Sequence, residues 1–244
     1  MKKLIIIPAY NEEESIVNVI KDIQKDAPYY DYVIINDGST DATKDICIRE
    51  KFNFIDLPIN LGIGGAVQTG YKYALENDYD YAVQIDGDGQ HDCKDLDNLL
   101  NHLLENNLNM VIGSRFLKKA GFQSTLARRM GIVYFSKIIK YLTGVTVTDP
   151  TSGYRMCDKS VIKVFAKDYP TDYPEPESIV SIIKQGYKIG ETDAHMKERQ
   201  GGVSSINAFK AVYYMIKVTL AILVSSSVHG KRNKKKVMGY DAEI

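Results

Sequence analysis

Tyr81-Ala82-Val83-Gln84-Ile85-Asp86-Gly87-Asp88-Gly89-Gln90 reads as one short strand running into an acidic, glycine-bearing turn. Its apolar part, 81–85, is long enough for a strand and too short for a helix. Four further runs have the same length and character: 4–7, 32–36, 54–57 and 110–112. Helical stretches are expected between them, near 12–26, 41–51, 64–77 and 94–105. Strand and helix alternate, with turn formers at the carboxyl ends of the strands. That alternation implies an α/β fold built on a doubly wound, mostly parallel sheet. Ligands of such sheets sit outside the carboxyl ends of the strands, so the chemistry is expected there.

The chain has 244 residues, which suits one large domain or a domain with a short appendage. Hydrophobic residues make up 44% and charged residues 25%, the proportions of a packed globular protein. Lys+Arg and Asp+Glu both number 31, so bulk charge gives no argument for a nucleic-acid partner. Cys47, Cys93 and Cys157 are odd in number and form no C-x-x-C spacing, which reads as reduced thiols in a reducing compartment. The apolar run after Met1-Lys2-Lys3 is ended by Pro8 and Asn11-Glu12-Glu13-Glu14. It falls short of the ~7–15 residues of a signal core and reads instead as a buried first strand. No run reaches the ~18 charge-free apolar residues of a membrane span. The nearest, 211–228, is interrupted by Lys217.

Beyond residue 115 the pattern changes. A basic-apolar helix is expected over 126–142 and an irregular segment over 143–157. A helix near 177–186, a strand near 187–192 and a long helix from about 206 to 227 follow. Lys231-Arg232-Asn233-Lys234-Lys235-Lys236 reads as a solvated basic tail.

The strongest local chemistry is Asp86-Gly87-Asp88. Residues two apart on an extended chain point the same way, and two such carboxylates repel unless a cation lies between them. Hard divalent cations take carboxylate oxygens and share phosphate oxygens readily. A plain turn built from Asp and Gly is the alternative. A second acidic loop, Asn36-Asp37-Gly38-Ser39-Thr40-Asp41, ends another strand. Thr40 or Asp41 suits a helix cap there, which leaves Asp37 to accept hydrogen bonds from a base or ribose. In Pro8-Ala9-Tyr10-Asn11-Glu12-Glu13, the two glutamates suit a first helical turn and Tyr10 offers a ring for a base to stack on. Asn60-Leu61-Gly62-Ile63-Gly64-Gly65-Ala66 is either a phosphate cradle or close helix–sheet packing. Arg115 and Arg199 are able to neutralise diphosphate oxygens, although each taken singly reads as a surface arginine. His91, His102, His195 and His229 share no metal-ligand spacing, and His91 lies beside the acidic turn as a support at most.

In this order the motifs resemble family-2 glycosyltransferases, and most of all the dolichyl- or polyprenyl-phosphate sugar transferase branch. The matching pieces are 8–13, 36–41, 60–66, 86–90, Gly113-Ser114-Arg115, Asp149-Pro150-Thr151-Ser152-Gly153-Tyr154-Arg155 and Arg199-Gln200-Gly201-Gly202-Val203-Ser204. That branch commonly has a lysine after the last piece, where this chain has Ser205. The resemblance implies a GT-A type, Rossmann-like domain, taken as 1–205, and inversion at the anomeric carbon; the helix and basic tail read from the residues make up 206–244. It implies that Pro8, Tyr10, Glu12 and Asp37 hold the nucleoside of a GDP- or UDP-sugar. Asp86, Asp88 and Gln90 would hold Mg²⁺ or Mn²⁺, with Arg115 and Arg199 at the diphosphate.

The ion would act as a Lewis acid on the leaving diphosphate, with Arg199 adding to the electrostatic term. Asp149 competes with Glu175 and Glu177 as the base. A phosphate acceptor, ionised at neutral pH, would need none, whereas a sugar hydroxyl would. On the helix from 206, Asn207, Lys210, Tyr214, Lys217, Ala221 and Ser225 share one stripe and nearly everything else is apolar. Such a helix docks on its own domain, pairs with a second copy, or lies in a bilayer interface, where the basic tail favours an anionic lipid surface. Attachment at the cytoplasmic face of the membrane is the expectation.

Overall fold

The computed structural model describes residues 1–117, 126–197 and 208–237. Its elements run β1 (Lys3–Ala9), α1 (Ile16–Asp26), β2 (Asp31–Asn36), α2 (Thr43–Arg49), β3 (Phe54–Asp56), α3 (Gly62–Glu76), β4 (Tyr81–Gln84) and α4 (Leu96–Glu105). Then follow β5 (Met110–Ser114), α5 (Leu126–Thr143), β6 (Arg155–Asp158), α6 (Lys159–Lys167), α7 (Pro174–Lys184), β7 (Ile189–Asp193) and α8 (Ala208–Val237). The seven strands form one sheet in the order β3-β2-β1-β4-β6-β5-β7. All pairings are parallel except the two that β6 makes with β4 and β5.

The continuous apolar run of β1 follows from burial on both faces, as parallel strands require. Successive side chains point to opposite faces. Leu4 and Ile6 join Val33, Ile35, Ala82 and Met110 under α3, α6 and α7. Ile5 and Ile7 join Ile34, Val83 and Val111 under α1 and α4. Each of these β1 side chains is fully buried, worth about 1.5–3 kcal/mol. The three cysteines are free and buried within these layers.

The segment expected to be irregular ends instead in β6, a strand without an apolar run: Arg155-Met156-Cys157-Asp158. Asp158 then caps α6, accepting from the Val161 N–H at 2.9 Å. Because β6 runs antiparallel between β4 and β5, residues 149–154 arrive at the same edge as the carboxyl ends of those two strands.

α8 packs against α7 and α5. It turns Val218, Ile222 and Ser225 inward, and Tyr214 makes edge contacts with Phe135 and Tyr173. The stripe read from the sequence as polar thus faces the protein over its described part. Lys217 leaves it to pair with Asp172. The outward face carries Tyr213, Ile216, Leu220, Leu223, Val224 and Val228, all exposed. Helix continues to Val237, so 231–236 extends α8. No described helix is long and apolar enough to cross a membrane.

Candidate active site

The carboxyl ends of β1 and β2 are tied together by their acidic loops. Asn11 donates its N–H to Ser39 Oγ at 3.0 Å and accepts from the Thr40 N–H at 2.8 Å. Asp41 accepts from the Glu13 N–H, and the Glu13 carboxylate accepts from the Ala42 N–H at the start of α2. Glu13 therefore caps α2 across the loop rather than its own helix, which begins only at Ile16. Glu12 lies in the preceding turn, where its carboxylate accepts from Ser15 Oγ at 2.7 Å. Asp37 is buried, and its Oδ1 accepts from the Leu61 N–H at 2.7 Å, which fixes the loop after β3. Pro8 is buried in β1, while the Tyr10 ring is about half exposed beside these loops.

β4 ends at Gln84, and 86–89 is a turn rather than extended chain, with the Gly89 N–H directed at the Asp86 carbonyl at 3.5 Å. Strand alternation therefore does not orient Asp86 and Asp88; the turn itself carries both carboxylates. Asp88 is buried and its Oδ1 accepts from the Gln90 N–H at 3.0 Å. The Asp86 side chain is 37% exposed and accepts from Gln84 Nε2 at 3.2 Å. Gly87 makes room for the turn, since a Cβ there would lie 3.1 Å from the Pro8 carbonyl oxygen and 3.3 Å from Glu12 Cγ. Asp86, Asp88 and Gln90 offer hard oxygen donors that fit Mg²⁺ or Mn²⁺. Among the described residues no group of three His, Cys, Asp or Glu closes a metal cage.

The loop 149–155 meets this turn directly. A Cβ built on Gly153 would lie 2.8 Å from Gln84 Nε2 and 3.3 Å from Asp86 Oδ1. Asp149, fully buried, grips Arg115 through two hydrogen bonds, 2.6 Å from Nε and 2.7 Å from Nη2, and also accepts from the Arg115 N–H. Burial alone would lower the Arg115 pKa. The hydrogen bonds and charge of Asp149, then the charges of Asp86 and Glu175, outweigh it and raise the pKa above its ordinary value. Both oxygens of the Asp149 carboxylate are thus committed to the Arg115 guanidinium. Arg115, read as a diphosphate ligand, has two of its guanidinium nitrogens committed to Asp149 and Thr151. Glu175 and Glu177 occupy the first turn of α7, and the charge of Glu175 reaches Arg115. Arg199 lies outside the described residues. The glycine-rich segment 60–66 packs closely: the Gly64 N–H donates to the Thr171 carbonyl at 3.2 Å, so it is not a free phosphate cradle.

Three residues with no role in the sequence reading hold the site. Arg155 is fully buried and donates to the carbonyls of Pro150, Ser152 and Glu175 and to Ser178 Oγ, pinning 150–155 to the start of α7. Glu191 on β7 accepts from the N–H groups of Thr148 and Asp149 and from Thr148 Oγ1. Burial raises the Glu191 pKa, with the charge of Asp149 adding to it, against those three hydrogen bonds, which lower it. Tyr154 is buried, which pushes its phenol well above the ordinary value, and it donates to the Asp92 carbonyl at 2.9 Å. The motif 149–155 flagged the loop, but only side-chain geometry separates its clamps from its chemistry.

A mixed sheet with an acid pair beyond β4, acidic loops beyond β1 and β2, and an opposing loop before β6 is the arrangement of a GT-A type sugar transferase fold. Residues 4–165 match the model of glycosyl transferase family 2, and the chain belongs to that family. A UDP-N-acetylglucosamine–dolichyl-phosphate N-acetylglucosaminyltransferase of Methanococcus voltae is 33% identical over 77% of this chain and 82% of its own. A polyprenol monophosphomannose synthase of Mycolicibacterium smegmatis is 25% identical over 89% and 85%. Glucosyl-3-phosphoglycerate synthase of Mycobacterium tuberculosis, solved with uridine diphosphate, has a TM-score of 0.71 at 17% identity, covering 93% of this chain and 80% of that one. It has also been solved with Mn²⁺, uridine diphosphate and glucosyl-3-phosphoglycerate. At that identity the likeness speaks to the fold alone.

Proposed function

We propose that this glycosyltransferase moves a sugar, with inversion, from a GDP- or UDP-sugar held at a divalent ion on Asp86 and Asp88 to a polyprenyl phosphate at a membrane surface. The observation that carries this reading is the close approach of Gly153 to Asp86, so close that an added Cβ would lie 3.3 Å from its carboxylate, which brings the donor-side turn and the loop 149–155 together. Tyr10 stacks on the base and Asp37 accepts from the nucleoside, with Pro8 and Glu12 shaping the slot. Asp86, Asp88 and Gln90 hold Mg²⁺ or Mn²⁺, which supplies Lewis-acid stabilisation to the leaving diphosphate. Arg115, oriented by Asp149, adds fixed positive charge beside that group, and Arg199 is assigned the same role. An acceptor phosphate with a second pKa near 6 is ionised at neutral pH, so attack requires no protein base. On this reading Glu175 and Glu177 shape the acceptor side without taking a proton. The relatives from Methanococcus and Mycolicibacterium carry names with dolichyl phosphate and polyprenol monophosphomannose, which favours a lipid-phosphate acceptor.

The outward face of α8 supports a lipid surface. Its exposed apolar residues continue onto Met130, Val133, Tyr134 and Tyr141 of α5, beside exposed Arg129, Lys137 and Lys140. Five of the six residues 231–236 on the same helix are basic. Such a face, rimmed by cations, matches an anionic bilayer interface better than water. The protein then works as 1–205 for chemistry and 206–244 for attachment, at the cytoplasmic leaflet. The test is a panel of GDP- and UDP-sugars with Mn²⁺, read by thermal shift for the wild type and Asp88→Ala. One donor class should stabilise the wild type only. Equal stabilisation of both proteins would remove the metal-held donor from the account.

A further inference from the structure

His91 closes the acidic turn into a ring. The Asp86 N–H donates to His91 Nδ1 at 3.0 Å, so the imidazole hydrogen sits on Nε2, which lies 3.7 Å from Asp86 Oδ2. One side chain thus touches both the backbone and the carboxylate of Asp86. The imidazole is itself held. It is 5% exposed and stacks on Tyr154 with centroids 4.7 Å apart and planes 13° from parallel. Tyr154 is anchored by its hydroxyl on the Asp92 carbonyl, one residue beyond His91. Behind the turn, His91 bridges Met196 and the Lys197 N–H donates to the Gln90 carbonyl at 2.8 Å. The ring therefore has no freedom to turn away from Asp86, and the residue that packs it belongs to the loop 149–155.

We propose that His91 is a positioning residue: its Nδ1 sets the backbone of Asp86, and through it the direction of the carboxylate, so that the turn is ready for a divalent ion. This rests on the metal reading of Asp86 and Asp88 given above. Groups that orient a metal ligand typically change metal affinity about 10–100-fold when removed. A further consequence is that the stack on Tyr154 links the shape of the turn to the loop on the acceptor side.

The test measures Mn²⁺ binding by electron paramagnetic resonance, with UDP and separately with GDP, on folded protein well below its melting temperature. His91→Phe keeps a ring on Tyr154 but removes the acceptor. His91→Asn places an oxygen near the position of Nδ1, and His91→Gln places its amide near Nε2. The expected result is Mn²⁺ affinity at least about 10-fold weaker in His91→Phe and His91→Gln, with most of it restored in His91→Asn. Asp88→Ala serves as the control that has lost a proposed ligand. If the wild type binds Mn²⁺ no better than Asp88→Ala with either nucleotide, the metal reading fails and this inference falls with it. If the wild type binds and His91→Phe and His91→Gln bind equally well, His91 is a packing residue only. If His91→Asn is as weak as His91→Phe, the Nδ1 contact is not what matters. A variant that fails to fold is replaced by the other of the Phe and Gln pair, which probe the same lost acceptor.

Discussion

Gly153→Ala adds one methyl at the point where the two halves of the site touch. The backbone there lies outside the left-handed region, so the effect comes from contact alone. The new Cβ would stand 2.8 Å from Gln84 Nε2 and 3.3 Å from Asp86 Oδ1. Gln84 is 1% exposed and must move, and its 3.2 Å hydrogen bond to Asp86 is lost with it. A lost hydrogen bond costs about 1 kcal/mol and overpacking about 1–3 kcal/mol. The expected total is about 2–4 kcal/mol, or roughly 4–16 °C in Tm for a domain of this size. Function should suffer more than stability. Metal ligands must stand within about 0.2 Å of their places, and Asp86 is pushed by a comparable amount. We expect the Mn²⁺ concentration for half-maximal transfer to rise at least about 10-fold. The assay pairs calorimetry with a metal titration of turnover on the same preparation. A folded Gly153→Ala enzyme with unchanged metal dependence would refute the claim that this contact sets the site.

Further outcomes follow from individual contacts. Asp149→Asn turns a two-pronged grip on Arg115 into one acceptor and one opposed donor. It should cost about 3 kcal/mol in urea unfolding and also lower turnover of the folded fraction, because Arg115 is no longer held, whereas a true base would lose turnover with stability intact. Glu191 has its pKa raised by folding above the ordinary value of 4.5, so the folded chain holds that proton more tightly than the unfolded chain. The stability it gives is full below about 4.5 and declines as pH rises through the folded value. Glu191→Gln should therefore trail the wild type by more at pH 4 than at pH 8, and a gap that widens with pH contradicts the assignment. Asp37→Ala should weaken donor binding in calorimetry by about 1–3 kcal/mol, with the metal requirement unchanged. Replacing Leu220 and Val224 together by Asp should abolish co-flotation with anionic vesicles and leave Tm nearly unaltered. If α8 instead pairs with a second copy, vesicles make no difference and sedimentation changes.

The sheet was legible because its strands are buried on both faces, so 4–7, 32–36 and 110–112 announce themselves as unbroken apolar runs. β6 was not, since two of its four residues are Arg155 and Asp158, and its burial rests on a guanidinium bonded to carbonyls. α6 carried a readable signal in its Asp158 cap and its buried Val161, Ile162, Phe165 and Ala166. The acidic turn was found from composition and position, although the alternation reasoning applied to it was wrong. The pairing of Arg115 with Asp149 spans 34 residues, and no local pattern predicts which of two plausible ligands will instead grip each other. The orientation of α8 stayed open in the sequence for a related reason. Tyr214 and Ser225 each carry a hydroxyl, yet a ring contact with Tyr173 and burial against the domain turn them inward.

The central claim is metal-dependent transfer from a nucleoside-diphosphate sugar to a lipid phosphate at the Asp86–Asp88 turn. It is tested most directly by incubating purified protein with labelled GDP- and UDP-sugars, polyprenyl phosphate in anionic vesicles, and Mn²⁺. Label should pass into the lipid phase from one donor class, with the opposite anomeric configuration, and the transfer should vanish in EDTA and in Asp88→Ala. Lipid-linked product formed at full rate in EDTA, or donor consumed without any lipid-linked product, would contradict it.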